Sequence, residues 1–171
     1  MKTEFKAKFL QHVAKKRKEE GFTLIELLVV IIIIGILSAI ALPSFLSQAN
    51  KAKQSEAKTY IGSLNKAQQA FYVENTAFSS SITQLGVGIQ TETANYNYGC
   101  STPAAGGLCS AKANSDVAAS LRSYAGLTYL LTGTNIESTT TGIICETDAP
   151  SGTAPNIKEQ GKCPDNSSKV G

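Results

Sequence analysis

From Phe22 to Leu42 the chain runs for 21 residues with one charged side chain, Glu26, and aliphatic residues at most other positions. At ~1.5 Å per residue, a helix over that run is roughly 31 Å long, close to the ~30 Å hydrocarbon core of a bilayer. A helix that is apolar on every side needs lipid or a packed bundle around it, not a half-wet surface. The lone carboxylate costs roughly 2.5 kcal/mol or more inside such a span, so Glu26 calls for a functional explanation.

The charges around the run set its orientation. The first 21 residues carry seven basic side chains (Lys2, Lys6, Lys8, Lys15, Lys16, Arg17, Lys18) and three acidic ones (Glu4, Glu19, Glu20). Basic flanks stay on the cytoplasmic side, which places residues 44–171 outside. Without the leader, nine basic side chains face ten acidic ones, so the whole-chain charge of +3 belongs to the leader. The remaining chain makes no electrostatic case for direct nucleic-acid binding. All four cysteines, Cys100, Cys109, Cys145 and Cys163, lie in the exported part. An oxidising compartment would join them as two disulfides, with three possible connectivities; sequence-adjacent pairing is the simplest.

An ordinary secretory signal would use Leu27–Leu37 as its apolar region and be cut after Ala39-Ile40-Ala41. Glu26 at the head of that region and the long leader oppose it. A simple uncleaved anchor is the other alternative.

Past the span, Phe45, Ala49, Ala52, Tyr60, Leu64, Ala67 and Phe71 recur every three or four residues, interrupted by Glu56. Lys51, Lys53, Lys58, Asn65 and Lys66 lie largely off that stripe. One helix from Phe22 to about Glu74 is expected, apolar in its first half and amphipathic in its second. Pro43 removes a backbone donor and Gly35 is a poor helix former, so both weaken it locally. Strand-like pieces follow at Thr93–Tyr98, Leu121–Thr132 and Thr141–Thr147, punctuated by Gly106-Gly107 and Gly133-Thr134-Asn135. These predict an α+β fold, with a three- or four-stranded antiparallel sheet lying on the exposed half of the helix. The tail Ala149–Gly171 reads as irregular.

Catalytic constellations are missing from the pattern. The single histidine, His12, sits in the leader. Cys100-x8-Cys109 and Cys145-x17-Cys163 do not match zinc spacing, and Glu146, Asp148, Glu159 and Asp165 are too scattered for a calcium loop. No glycine-rich phosphate cradle occurs. No metal, cofactor or enzymatic activity is expected. Core packing accounts for most of Phe22, Phe45, Tyr60, Phe71 and Tyr72, which could otherwise suggest electron conduction. Asn166-Ser167-Ser168 is a weak glycosylation triplet.

The string Gly21-Phe22-Thr23-Leu24-Ile25-Glu26, set between a basic leader and an aliphatic run, resembles the processing site of type IV prepilins. The likeness extends through Gly35 and Pro43, and the long leader is similar to that of cyanobacterial prepilins. The resemblance implies a pilin-like fold with three segments: a cleaved leader (1–21), a transmembrane or filament-core half-helix (22–43), and an amphipathic half-helix with a disulfide-bonded head (44–171). It implies cleavage between Gly21 and Phe22 by a prepilin peptidase, where a residue without a side chain admits the backbone closely. The same enzyme, an N-methyltransferase as well, would methylate the new Phe22 amine.

Glu26 could neutralise that amine within one subunit. The family implies that it meets the Phe22 amine of a neighbour during assembly, a single polar contact setting register in an apolar bundle. Gly35 and Pro43 would mark a segment that loosens on packing, and Cys145–Cys163 would bound the carboxy-terminal loop. The implied partners are further copies in a helical homopolymer, the peptidase, and an assembly platform driven by cytoplasmic ATPases that act on the assembly rather than bind the head. Before assembly the subunit would span the cytoplasmic membrane once, head outside; afterwards it would lie in a surface pilus serving motility, adhesion or DNA uptake. A type II secretion pseudopilin shares the same amino-terminal signature and is the first alternative. A membrane-anchored extracytoplasmic binding domain is the second.

Overall fold

The computed structural model describes residues 22–133 and 136–170. Helix α1 runs Leu24–Asn75 without interruption, including through Gly35 and Pro43. Five strands follow: β1 (Tyr96–Ser101), β2 (Gly107–Ala113), β3 (Tyr124–Gly133), β4 (Ile136–Thr147) and β5 (Ser167–Lys169). The chain divides into two compact units after Leu46.

In the first unit the large apolar side chains from Phe22 to Leu46 are exposed, for instance Leu24 at 82% and Ile40 at 72%. α1 is the one described helix long and apolar enough to cross a membrane. Such a surface is stable only where water is excluded.

The second unit, from Ser47 onward, is a single antiparallel sheet in the order β1-β2-β3-β4-β5, each strand paired with its chain neighbour. Alternate side chains of a strand point to opposite faces, and here both faces are covered. On one face lies the second half of α1, which buries Ala57, Ile61 and Leu64 with Tyr96, Tyr98, Cys109, Ala111, Leu121 and Tyr124. The other face buries Ala125, Leu127, Tyr129, Ile143 and Cys145 under the tail, whose Ile157 is 1% exposed. Burying one such side chain is worth about 1.5–3 kcal/mol, so the tail, irregular in backbone up to β5 as expected, is nevertheless packed on the sheet as a third layer.

The expected contact stripe of α1 shifts accordingly. Phe45 is 72% exposed, and the buried residues are Ala57, Ile61, Leu64, Asn65 and Gln68. Two of those are polar, and each bonds the backbone of a segment packed against the helix. The Asn65 Nδ2 donates to Ile143 O at 3.1 Å, and the Gln68 amide exchanges two bonds with the Ser79 backbone. The sheet is also larger than expected. β2 and β5 join it, β1 sits three residues later than anticipated, and β4 begins at Ile136 rather than Thr141.

Close packing of α1 on the sheet explains two glycines. A Cβ on Gly107 would stand 2.9 Å from Gln68 Cδ, and one on Gly126 would stand 2.7 Å from Ile61 Cγ2. Any larger residue there would push the helix off the strands.

Candidate functional site

The amino-terminal end of α1 is closed by a reciprocal cap. Helix N–H groups in the first turn have no intrahelical acceptor. Thr23 supplies one, its Oγ1 accepting the Glu26 N–H at 3.3 Å. Glu26 answers with a single oxygen: its Oε2 accepts from Thr23 N at 2.8 Å and from Thr23 Oγ1 at 2.7 Å. Thr-x-x-Glu is the capping-box pattern, in which N-cap and N3 side chains satisfy each other's backbone donors. The carboxylate is also where the positive end of the helix dipole favours it. Glu26 Oε1 takes part in none of these bonds, so half of the carboxylate remains to accept a cation. Phe22, 78% exposed, immediately precedes the cap. Gly21, the other residue of the expected cleavage site, lies outside the described residues.

Gly35 has nothing within 4 Å of where a Cβ would stand. Its hydrogen atoms are therefore not required by crowding within the subunit. Pro43 sits inside the helix, where its ring displaces one backbone bond.

Both cysteine pairs are joined in the second unit. Cys100 and Cys109 stand directly opposite on β1 and β2, with Cα atoms 4.1 Å apart. Cys145 of β4 bonds Cys163 in the tail, with Cα atoms 5.7 Å apart. The second bridge pins the tail layer against the sheet, assisted by Gln160 Nε2 donating to Ala105 O at 3.3 Å and Ser151 N donating to Leu121 O at 3.0 Å.

The remaining polar groups of the head are structural. Glu146 bridges Lys58 at 2.9 Å and Arg122 at 3.0 Å, tying α1 to β4 and to the loop before β3. Burial pushes the phenols of Tyr96, Tyr98 and Tyr124 well above the ordinary tyrosine range, with Glu56 adding to the first two and Glu146 to the third. The Tyr96 hydroxyl donates to Arg122 O at 2.9 Å and that of Tyr124 to Gln54 Oε1 at 3.2 Å. Tyr60 packs on Tyr98 with ring centres 5.4 Å apart. Asp148, Glu159 and Asp165 line an open concavity of about 960 Å3 in the tail, together with Lys158 and Lys162. Among the described residues no three His, Cys, Asp or Glu side chains are placed to hold a metal. Asn166 is exposed at a positive φ of 61° in the turn before β5.

An exposed apolar half-helix with a capped carboxylate at its head, leading into a disulfide-bonded head, matches known families. Residues 54–165 match the family described as type IV pilin-like G and H, and residues 16–42 match the prokaryotic N-terminal methylation motif. This chain belongs to the type IV pilin-like family. Among curated relatives, it is 41% identical over 100 residues to the type IV major pilin protein PilA of Myxococcus xanthus, covering 58% of this chain and 44% of that protein. It is 32% identical over 94 residues to the type IV wide pilus major component PilA4 of Thermus thermophilus, covering 54% of this chain and 72% of that protein. The type II secretion system core protein G of Pseudomonas aeruginosa is 38% identical over 73 residues, 43% of this chain and 50% of its own length. The chain thus spans less than half of the Myxococcus relative and half of the Pseudomonas one. No solved structure matches.

Of the residues expected to matter, Phe22 and Glu26 stand within one helical turn, and the four cysteines form two bridges. Thr23 joins them as the residue that caps α1. Its signal was present, since Thr23-x-x-Glu26 is a capping-box string in its own right.

Proposed function

We propose that this chain is the structural subunit of a type IV pilus. The observation that carries this function is the membrane-length, exposed apolar half of α1 headed by a capped glutamate, within a segment that matches the methylation motif. A prepilin peptidase cleaves after Gly21 and methylates the Phe22 amine. The processed subunit resides in the cytoplasmic membrane, head outside, until a platform driven by cytoplasmic ATPases packs it into a filament. The chain acts as a building block and carries out no catalysis.

In the filament, Glu26 accepts the Phe22 amine of a neighbouring copy. The free Oε1 suits that role, because the carboxylate keeps its helix cap through Oε2 while binding the incoming cation. An ammonium and a carboxylate that are each costly in apolar surroundings offset one another when paired. Gly35 and Pro43 are the positions where the helix loosens as subunits leave the lipid. The finished pilus serves motility, adhesion or DNA uptake.

A secretion-system pseudopilin is the second reading, favoured by the 38% identity to the Pseudomonas core protein G. The disulfide-pinned tail layer supports the pilus instead. Intact-mass analysis of the subunit from sheared surface filaments tests the proposal. The expected chain begins at Phe22 and carries one extra methyl group. A chain beginning at Leu42, or the absence of the subunit from surface filaments, refutes it.

A further inference from the structure

Two groups of carboxylate and tyrosine flank the second half of α1, and the chain fills one of them with its own cation. On one flank Glu146 bonds Lys58 at 2.9 Å, and the Lys58 ammonium stands 5.6 Å from the centre of the Tyr124 ring. A cation held between a carboxylate and an aromatic face is attracted by both.

On the other flank stand Glu56, Tyr60 and Tyr98. Glu56 is the residue that interrupts the apolar stripe, and it is half-buried. Tyr60 lies one turn further on, on the same face of the helix, and packs its ring on that of Tyr98. Burial, and after it the Glu56 charge, raises the Tyr96 and Tyr98 phenols, so the carboxylate is close to this aromatic group. Among the described residues no cation pairs with Glu56. The hydroxyl of Tyr98, a residue 5% exposed, has no hydrogen-bond partner among them either. A half-buried carboxylate without a counter-ion and a buried hydroxyl without an acceptor are both costly. The group has the composition of the Lys58 site without its lysine.

Lys51 is exposed and pairs with no carboxylate among the described residues. At ~100° per residue it projects about 140° round the axis from Glu56, on the opposite flank. Lys53 is only about 60° from Glu56 and shares its flank. Each copy thus shows an unpaired ammonium on one side of α1 and an unpaired carboxylate on the other. Such a surface propagates head to tail instead of closing as a dimer. Seating the Phe22 amine of one copy on Glu26 of the next displaces the two along the filament by four residues, or ~6 Å of helix. One screw operation relates neighbouring copies, so that displacement holds at every residue. It brings Lys51 level with Ser55 of the same neighbour, beside Glu56.

We propose that Glu56, backed by Tyr60 and Tyr98, is the docking site for the Lys51 ammonium of a neighbouring copy, a polar contact repeated between heads along the filament. The ammonium donates to the carboxylate and lies over the Tyr60 ring, as Lys58 does at Glu146 and Tyr124. Held there, the carboxylate also offers the Tyr98 hydroxyl an acceptor. This inference rests on the pilus reading, whose Phe22–Glu26 contact sets the register.

Carbodiimide treatment of sheared filaments of the full processed chain tests it. The reagent takes up one water as it joins a carboxylate to an amine already in contact. Peptide mapping of the covalent multimers should recover Lys51 joined to Glu56, which lie on opposite flanks and so meet only between chains. Lys58 joined to Glu146 within one chain is the control. Lys51→Glu changes an exposed side chain and opposes like charges at every contact. Its filament yield should fall at least ~10-fold, with the processed subunit retained in the membrane. Adding Glu56→Lys to that chain restores the pair with its signs exchanged, and filaments should return. A Lys51→Glu yield equal to the parent's, or treated filaments in which Glu56 is joined to a lysine other than Lys51 or to none, overturns the contact and leaves the pilus reading standing. A parent chain that forms no filaments overturns both.

Discussion

Replacing Gln68 by leucine should destabilise the head by about 2–4 kcal/mol, although leucine is of similar size and more apolar. Gln68 is fully buried on the sheet-facing side of α1. Its Nε2 donates to Ser79 O at 2.6 Å and its Oε1 accepts from Ser79 N at 3.0 Å. Ser79, itself 3% exposed, bonds Gln84 and Ser81 in turn, so one amide anchors the whole connection leaving the helix. Leucine would strand a buried N–H and a buried C=O at once, at about 1.5–2.5 kcal/mol each. The greater apolarity of leucine offsets about 1 kcal/mol of that. For a domain of this size each kcal/mol moves Tm by about 3–5 °C, so a fall of about 6–20 °C is expected. Gln69→Leu is the control, since its one bond is at 3.5 Å and it is only half-buried; a change within about 0.5 kcal/mol is expected there. The buried residues of the described chain all lie between Ala57 and Ile157, so a fragment beginning at Ser47 retains the core. Urea and thermal unfolding of that fragment with intact disulfides provides the measurement. A Gln68→Leu loss under 0.5 kcal/mol, or one equal to that of Gln69→Leu, would show that the buried amide does not anchor the connection.

Glu26→Leu should give a processed, membrane-retained pool with few or no filaments, because an unpaired buried amine costs on the order of 3–5 kcal/mol; abundant filaments from that chain alone would remove Glu26 from the assembly contact. Alkaline titration should unfold the head. Tyr96, Tyr98 and Tyr124 ionise at higher pH when folded than when unfolded, so their contribution is complete below about pH 10 and is lost above it, at up to about 4 kcal/mol per pH unit for the three together. Urea midpoints measured from pH 8 to 11.5 that stay level would contradict this. Replacing both Cys145 and Cys163 by alanine should cost about 3 kcal/mol, given the sequence separation of 18. Hydrogen exchange should then quicken first in the tail layer and in β3 residues such as Leu127. Loss starting at β1 instead would place the weak point at the other bridge.

The long helix was legible because a largely aliphatic run of 21 residues followed by a three-four spacing has few other outcomes. β2 was not, since Gly107-Leu108-Cys109-Ser110-Ala111-Lys112-Ala113 is rich in small residues of weak strand preference. Gly107, Cys109, Ala111 and Ala113 face α1, which sits close above Gly107, and the segment is held as a strand by pairing on both sides. The burial of Asn65 and Gln68 was hidden for a related reason. Their partners are backbone groups 78 and 11 residues away, which no local pattern displays. The tail layer hinges on one isoleucine, Ile157, among prolines and polar residues. At the candidate site, Phe22 and Glu26 were legible from the motif itself, whereas the cap between Thr23 and Glu26 needed the bonded geometry to separate the two oxygens of the carboxylate.

The sheet order, in which every strand pairs with the one before it, also sets a timetable. A chain emerging from its amino-terminal end completes the β1–β2 hairpin, and with it the Cys100–Cys109 bridge, before either later cysteine has appeared. Cys145 follows Cys109 by 36 positions, a delay of about 2–7 s at ~5–20 residues per second. Oxidation that keeps pace with emergence therefore meets only one possible partner at each step, and of the three ways to join four cysteines the native one is selected by order of arrival.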